Sequence, residues 1–275
     1  LITAITLAAT TSVVLGLDKG VRFLSVFNMR LTLIFLVVML FLGPTVFLLD
    51  GFIENLGEYL NSIIRVGTYA ETFSDGTWQH DWTIFYWAWW ISWSPFVGMF
   101  IARVSRGRTV REFILGVLMV PSMLIFFWMT VFGGTAIFLE SNGIGQIATA
   151  VNADLSTALF VMLEEFPMSS VTSFIGILLV TIFFVTSSDS GSLVIDSITS
   201  GGKLDAPVGQ RVFWALTEGA VAAALLFAGG LKALQSVVIS AGLPFAIVIL
   251  LVIFSLRKAL KEELNEMKME ATEKE

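Results

Sequence analysis

The sequence contains no cysteine and only one histidine among its 275 residues. Without cysteine, neither a disulfide nor a thiolate metal site can form within this chain. A single histidine, His80, excludes a metal site built from several histidines and leaves one candidate for histidine catalysis. Charge is also scarce, since 14% of residues are charged and 56% are hydrophobic, whereas ordinary soluble domains carry about 25% charged residues. This is the composition of a membrane protein.

Long apolar runs recur along the chain, and a helix needs about 20 such residues to cross a bilayer. The first run begins at residue 1 with neither Met nor a signal-peptide pattern, so we expect an upstream part of the protein to precede it. The predicted fold class is an all-α polytopic membrane protein. Its seven spans are predicted at about residues 2–17, 31–49, 82–104, 113–139, 171–190, 212–230 and 234–256.

The basic residues predict the orientation, because Lys and Arg near span ends favour the cytoplasm. With the C-terminus inside, fourteen of the sixteen Lys and Arg residues are cytoplasmic, and only Arg65 and Lys232 are not. The cytoplasmic set is Lys19, Arg22, Arg30, Arg103, Arg106, Arg108, Arg111, Lys203, Arg211, Arg257, Lys258, Lys261, Lys268 and Lys274. We therefore predict a multi-pass protein of the plasma or inner membrane with a cytoplasmic C-terminus.

Two segments are predicted to be helical without crossing the membrane. Residues 51–66 place apolar side chains at helical spacing with polar residues between them, which indicates an amphipathic helix on the outer surface. The tail, residues 257–275, is rich in helix formers and predicts a solvated helix.

Residues 82–95, WTIFYWAWWISWSP, contain five tryptophans and no charge. On a helix, six aromatic residues lie within about 60° of Trp89; they are Trp82, Phe85, Tyr86, Trp93, Phe96 and Phe100. Mostly smaller residues suited to close helix packing lie opposite. The stretch from Trp82 to Trp93 covers about 16 Å, so the indoles extend from one interface toward the midplane.

Three interpretations of this aromatic face remain open. It is an interfacial aromatic belt, an aromatic core between helices, or a site for a quaternary ammonium, which donates no N–H hydrogen bond but is attracted to indole faces. Pro95 within the span predicts a distorted helix, a feature of midplane sites in transporters. We assign Trp82 to the interface and Trp87 to a position off the face.

A polar stretch, FFVTSSDSGS, interrupts the fifth predicted span. Phe183, Thr186 and Ser187 share one helix face, where two hydroxyls and a main-chain carbonyl would suit Na⁺. Equally, such hydroxyls bond back to their own helix. Asp189 is an intramembrane carboxylate, which we interpret as a helix terminus or gate residue rather than a proton relay.

These stretches resemble the betaine/choline/carnitine transporter family, in WTIFYWAWWISWSPFVGMFIARVSRGRTVREFILG and also in GLDKGVRFLS, GPTVFLLD, FGGTA and FFVTSSDSGS. The resemblance implies twelve spans in two inverted five-helix repeats, of which this chain would hold spans six to twelve. Residues 1–66 would then be the last two spans of the first repeat with the outer amphipathic helix. Residues 82–256 would be the second repeat, and 257–275 the cytoplasmic tail.

The resemblance also implies residue roles. Trp89, Trp90 and Trp93 match the family's aromatic substrate box, and Phe96 matches a phenylalanine associated with a second cation site. Phe183, Thr186 and Ser187 match half of another sodium site. The basic residues Arg103, Arg106, Arg108 and Arg111 resemble a segment linked to gating and regulation, although a positive-inside anchor explains them equally well.

We therefore expect a secondary active transporter that imports a quaternary-ammonium compatible solute, glycine betaine first, with sodium. Proton-coupled choline import, carnitine-type exchange and a sensor that binds without transport are the alternatives. We expect no enzyme activity, no cofactor beyond Na⁺ or H⁺, and no nucleic-acid partner. The expected partners are the small substrate, membrane lipid and, by resemblance, two further copies in a homotrimer.

Overall fold

The computed structural model describes residues 2–15, 22–203 and 207–272, and every regular element in these ranges is helical, which confirms the all-α class. Lys19, Lys274 and the end of the first predicted span lie outside the described residues. The α-helices are α1 (Ile2–Leu15), α2 (Arg22–Leu42), α3 (Thr45–Gly67), α4 (Phe85–Val104), α5 (Val110–Ser141), α6 (Ile147–Ala153), α7 (Ala158–Glu164), α8 (Ser169–Thr199) and α9 (Val208–Thr272). A π-helix, Gln79–Ile84, leads into α4, and a 3₁₀ turn, Leu155–Thr157, leads into α7.

Four helices in the described ranges are long and apolar enough to cross a membrane, namely Arg22–Leu42, Val110–Ser141, Ser169–Thr199 and Val208–Met269. The last of these lies within α9 and contains the last two predicted spans. A kink at Gly229 and Gly230 divides α9, and Gly230 has a φ of 65°, which glycine adopts without steric cost. The seven predicted spans thus correspond to α1, α2, α4, α5, α8 and the two halves of α9.

The second predicted span, 31–49, has wrong boundaries, because α2 begins at Arg22 and ends at Leu42. The chain bends at Gly43 and Pro44 before α3 begins. A Cβ on Gly43 would lie 3.0 Å from both the Met39 carbonyl and the Thr135 hydroxyl, so the close approach of α5 requires glycine at this bend. The predicted amphipathic helix, 51–66, is confirmed as a helix and forms part of the longer α3.

Helix α3 packs along α5. The rings of Phe52 and Phe127 meet edge to face with centroids 5.4 Å apart, and the Asn55 amide donates a 3.3 Å hydrogen bond to Thr130 Oγ1. One side of α3 is therefore fixed to the protein, while residues such as Ile64 on its other side remain exposed.

The chain forms two compact units. The first comprises Leu1–Tyr69 and Arg103–Leu216, and the second comprises Ala70–Ala102 and Thr217–Glu275. The core of the first unit is apolar, with members from α2, α3, α5 and α7 that include Phe35, Met39, Leu48, Val131 and Leu163. The division into repeats remains a prediction, since these units interleave along the sequence.

In the second unit, α4 packs against the later part of α9 through small residues. The Ser92 hydroxyl lies 2.7 Å from the Ala88 carbonyl and 2.8 Å from the Val238 carbonyl. A Cβ on Gly242 would lie 3.0 Å from the Ala88 Cβ. The predicted small-residue side of α4 is therefore a packing surface at Ala88.

Candidate functional site

The aromatic face of α4, with Trp82 of the π-helix before it, carries two stacks of rings. Trp82 and Tyr86 are nearly parallel, with centroids 5.7 Å apart and an interplanar angle of 9°, and Tyr86 stacks on Trp89 at 6.5 Å and 21°. Further along, Trp93 stacks on Phe96 at 5.9 Å and 25°. We call these five residues the aromatic ladder. Helical spacing predicted this face, and the ring geometry places Trp82 on it. The assignment of Trp82 to the membrane interface stays a prediction.

The indoles of the predicted substrate box are only partly covered within the second unit. Trp89 is 48% exposed, Trp93 is 38% exposed and Trp90 is 63% exposed. Phe96 is half-buried and meets Phe245 of α9 edge to face, with centroids 5.8 Å apart. The ladder is therefore anchored at Phe96 and leaves indole surface accessible at Trp89 and Trp93, as a site for a cation requires.

Pro95 does not break α4, which continues from Phe85 to Val104. Proline lacks the N–H that would bond to the Ile91 carbonyl, but the Ser94 hydroxyl donates a 2.9 Å hydrogen bond to that carbonyl. The carbonyl freed by proline is thus satisfied within the helix. The larger irregularity lies earlier, in the π-helix Gln79–Ile84, a form of helix that often occurs at functional sites.

The predicted cation residues lie on α8, which continues as one helix through the hydroxyl-rich stretch. The Thr186 hydroxyl donates to the Phe183 carbonyl at 3.0 Å, and the Ser190 hydroxyl donates to the Thr186 carbonyl at 2.9 Å. The back-bonding that was one interpretation of Thr186 is therefore present. It uses the hydroxyl hydrogen and leaves lone pairs on the oxygen that can still face a cation.

Phe183, Thr186 and Ser187 line a cavity of about 730 Å³ within the first unit. The remaining lining residues come from α2, α5 and α8 and are Ser25, Asn28, Met29, Thr32, Leu124, Ile125, Trp128, Leu179, Val180 and Phe184. The structure thus brings the three predicted residues together on one wall of a cavity, which the sequence analysis did not foresee.

Helix α2 contributes polar groups to the cavity lining that sequence reasoning missed. Ser25, Asn28 and Thr32 of α2 stand at i, i+3 and i+7 and therefore share a helix face. Asn28 is 7% exposed, and its carbonyl oxygen has no hydrogen-bond partner among the described residues. The spacing of three polar residues on one face of an apolar span was the signal that could have identified this part of the lining.

The predicted gating residues lie in two places. Asp189 is buried ten residues before the end of α8, so it is not the helix terminus that the sequence analysis allowed. Arg106 and Arg108 are exposed in the turn between α4 and α5, and Arg111 is the second residue of α5. Arg103 is half-buried in the last turn of α4. Their roles in gating remain predictions.

The two sets of predicted residues belong to different compact units. Trp89, Trp90, Trp93 and Phe96 lie in the second unit, and the cavity with Thr186 lies in the first. The cavity is lined by residues of three helices, whereas the indoles of the aromatic ladder are exposed on one side.

The profile of the family described as BCCT, betaine/carnitine/choline family transporter, matches residues 1–265. The chain belongs to this family. It is 52% identical over 263 residues to a glycine betaine/proline/choline transporter of Vibrio parahaemolyticus, covering 96% of this chain and 47% of the relative. It is 44% identical to glycine betaine transporters of Bacillus subtilis, over 92% of this chain and 49% of the relative, and of Acinetobacter baylyi, over 97% and 40%.

The chain spans about half the length of these curated relatives. The family and these relatives are transporters rather than enzymes. Membership of the betaine/carnitine/choline family and the long apolar helices together identify a multi-pass membrane protein.

Proposed function

We propose that the full-length protein is a secondary active transporter that imports a quaternary-ammonium compatible solute, glycine betaine, together with Na⁺. The family and the names of three relatives, each of which includes glycine betaine, support the substrate class. The observation that carries the proposal is the aromatic ladder of α4, with its accessible indoles at Trp89 and Trp93.

A trimethylammonium group has no N–H to donate, so several ring faces can select it over ions that prefer a carboxylate. Trp89, Trp90 and Trp93 supply these faces in the proposal, and Phe96 fixes the deep end of the ladder against Phe245. The small residues behind α4 allow the helix to pack closely on α9, so the indoles are held on a rigid element.

For the coupling ion, we propose that Na⁺ binds at the cavity wall formed by Phe183, Thr186 and Ser187. Hydroxyl and carbonyl oxygens are ligands of the type that Na⁺ uses in transporters with broken or polar helices. A bound cation then favours one of the two conformations that alternate during transport, because it binds that conformation more tightly.

The test uses the full-length protein in liposomes and the uptake of labelled glycine betaine with and without a Na⁺ gradient. Trp93→Leu should reduce uptake strongly, and Thr186→Val should raise the Na⁺ concentration needed for half-maximal uptake. Thr181→Val is the matched control, because its hydroxyl also bonds back within α8, at 2.8 Å to the Ile177 carbonyl. Uptake that is unchanged in Trp93→Leu, or that is independent of Na⁺, would contradict the corresponding half of the proposal.

The second candidate is choline import driven by protons, which the word choline in the name of the Vibrio parahaemolyticus relative favours. Replacing the Na⁺ gradient by a pH gradient separates the two. We further propose a homotrimer in lipid with the C-terminus in the cytoplasm, which cross-linking in membranes and protease access to the tail would check.

A further inference from the structure

The end of α8 and the start of α9 are joined by a buried ion pair. Arg211 Nε lies 3.4 Å from Asp196 Oδ2, and the two side chains are 16% and 4% exposed. Both residues belong to the first unit. Asp196 lies nine residues beyond Ser187 on the same helix, or about 14 Å along its axis.

Both charges stand at the helix end that disfavours them. Asp196 is in the last turn of α8, which ends at Thr199, and Arg211 is in the first turn of α9, which begins at Val208. The partial charge is negative at a helix C-terminus and positive at an N-terminus. Neither charge is therefore stabilised by its own helix, and each depends on the other.

Neutral contacts surround the pair. Gln210 donates to Thr199 Oγ1 at 2.9 Å and to the Asp196 carbonyl at 3.4 Å. The Trp214 indole donates to the same Thr199 oxygen at 3.1 Å. Side chains in the first two turns of α9 are thus held to the last turn of α8 through the Thr199 hydroxyl, the Asp196 carboxylate and the Asp196 main-chain carbonyl.

A buried ion pair is a poor choice for stability, because desolvation offsets most of its attraction. Asp196 Oδ1 and Arg211 Nε are both buried without a hydrogen-bond partner among the described residues, so the pair is a contact of charges without a hydrogen bond at that nitrogen and neither group is fully satisfied. Apolar side chains would stabilise a permanent contact better. An ion pair suits a contact that forms in one conformation and separates in another, where water hydrates the two charges.

We propose that Asp196 and Arg211 are positioning residues that form a latch between α8 and α9, closed in this structure and opened once in each transport cycle. The latch sets the position of the α8 segment that carries Thr186 and Ser187. This inference rests on the proposed transport function for its kinetic consequence, but the latch itself can be observed without substrate.

The test compares four changes in the full-length protein on a cysteine-free background. Asp196→Asn alone and Arg211→Gln alone leave one buried charge uncompensated and should lower Tm and the folded yield. The double neutral variant should recover both. Exchanging the charges, Asp196→Arg with Arg211→Asp, keeps the pair and places each charge at its favourable helix end, so the latch should stay closed longer.

Ala215→Cys reports on opening, because Ala215 is 2% exposed and one turn from Arg211. Its reaction with a small thiol reagent, without substrate or Na⁺, should be several-fold faster in the double neutral variant and slower in the exchanged variant. The exchanged variant should show a several-fold lower kcat with an unchanged KM. The control removes the exposed pair of Lys258 and Glu262, which are 3.8 Å apart, and should change nothing.

Unchanged thiol reactivity in the double neutral variant would overturn the latch, and so would a wild-type kcat in a folded exchanged variant. If the exchanged variant does not fold, the reactivity of the Ala215→Cys thiol in the double neutral variant still tests the latch. Loss of Na⁺ dependence or of betaine uptake in the wild-type protein would overturn the proposed function instead, and would leave the reactivity pattern intact.

Discussion

Replacing Trp89 tests whether the aromatic ladder binds a quaternary ammonium. A cation over an indole face gains about 0.5–1 kcal/mol when exposed and about 2 kcal/mol when desolvated. Trp89 is 48% exposed in the second unit, so its loss should cost between about 1 and 2 kcal/mol. Since 1.36 kcal/mol is a factor of ten, Trp89→Leu should raise the KM for glycine betaine by about 5- to 30-fold.

The contacts of Trp89 with neighbouring rings do not contribute to this predicted change in KM. Trp89 meets Phe85 edge to face at 5.4 Å and stacks on Tyr86 at 6.5 Å. Such contacts are each worth about 0.5–1.5 kcal/mol, but they are lost equally from the free and the bound protein. They should therefore lower the thermal stability of the variant and leave its KM unaffected.

The assay is initial-rate uptake of labelled glycine betaine by the full-length protein in liposomes, at saturating Na⁺. Trp89→Phe keeps an aromatic face, so its KM for glycine betaine should lie between those of the wild type and Trp89→Leu. Trp87→Leu is the matched control, because Trp87 is on the same helix and more exposed, at 66%, but lies off the ladder; its KM should change less than about twofold. Equal KM values for the Trp89→Leu and Trp87→Leu variants would refute the role of the ladder.

Two further predictions concern local structure. Gly242→Ala should lower the free energy of unfolding by about 1–3 kcal/mol through overpacking, because the new Cβ would lie 3.0 Å from the Ala88 Cβ. Gly116→Ala is the control, because a Cβ there meets nothing within 4 Å, and its stability should not change. The Tm of both variants in detergent is the measurement. The pKa of Asp81 is held below its ordinary value, chiefly by the hydrogen bond with the His80 side chain. The π-helix that contains Asp81 should therefore be stable above the ordinary pKa of an aspartate and loosen as pH falls through the lowered pKa. Tryptophan fluorescence is the readout, and Asp81→Asn should abolish the transition.

The sequence was sufficient for the helical class and for the aromatic face, because both depend on local periodicity. It misplaced the second span because the apolar run continues across Gly43 and Pro44, and hydropathy alone does not mark a bend. The end of α8 was also missed. Its hydroxyls suggested a break after Asp189, whereas bonds such as that from Ser190 to the Thr186 carbonyl keep them inside the helix.

The cavity and the ion pair could not be predicted from local periodicity. Both depend on which helices are neighbours, and a single sequence gives no such information. Thr186 was recognised from its own helix, but Asn28, which lines the same cavity, lies 158 residues earlier in the chain. Arg211 was counted only as one more cytoplasmic charge, although its partner Asp196 lies just fifteen residues earlier.

Among the spanning helices of the described residues, α8 and α2 are the most buried. The most apolar part of α8 is 28% buried and that of α2 is 22% buried, against 11% for α5 and 6% for α9. Helix α8 also carries two buried carboxylates, Asp189 and Asp196. A carboxylate in contact with lipid is strongly disfavoured, so α8 must be enclosed by protein wherever these residues lie at membrane depth. Apolar side chains of α8 such as Phe174 and Val180 are exposed, so this requirement applies to the side of the helix that carries the carboxylates. In the proposals above, the same helix holds the cation and carries the latch, because both require polar groups kept away from lipid. Substituting both aspartates by leucine should let α8 tolerate lipid while abolishing coupled transport.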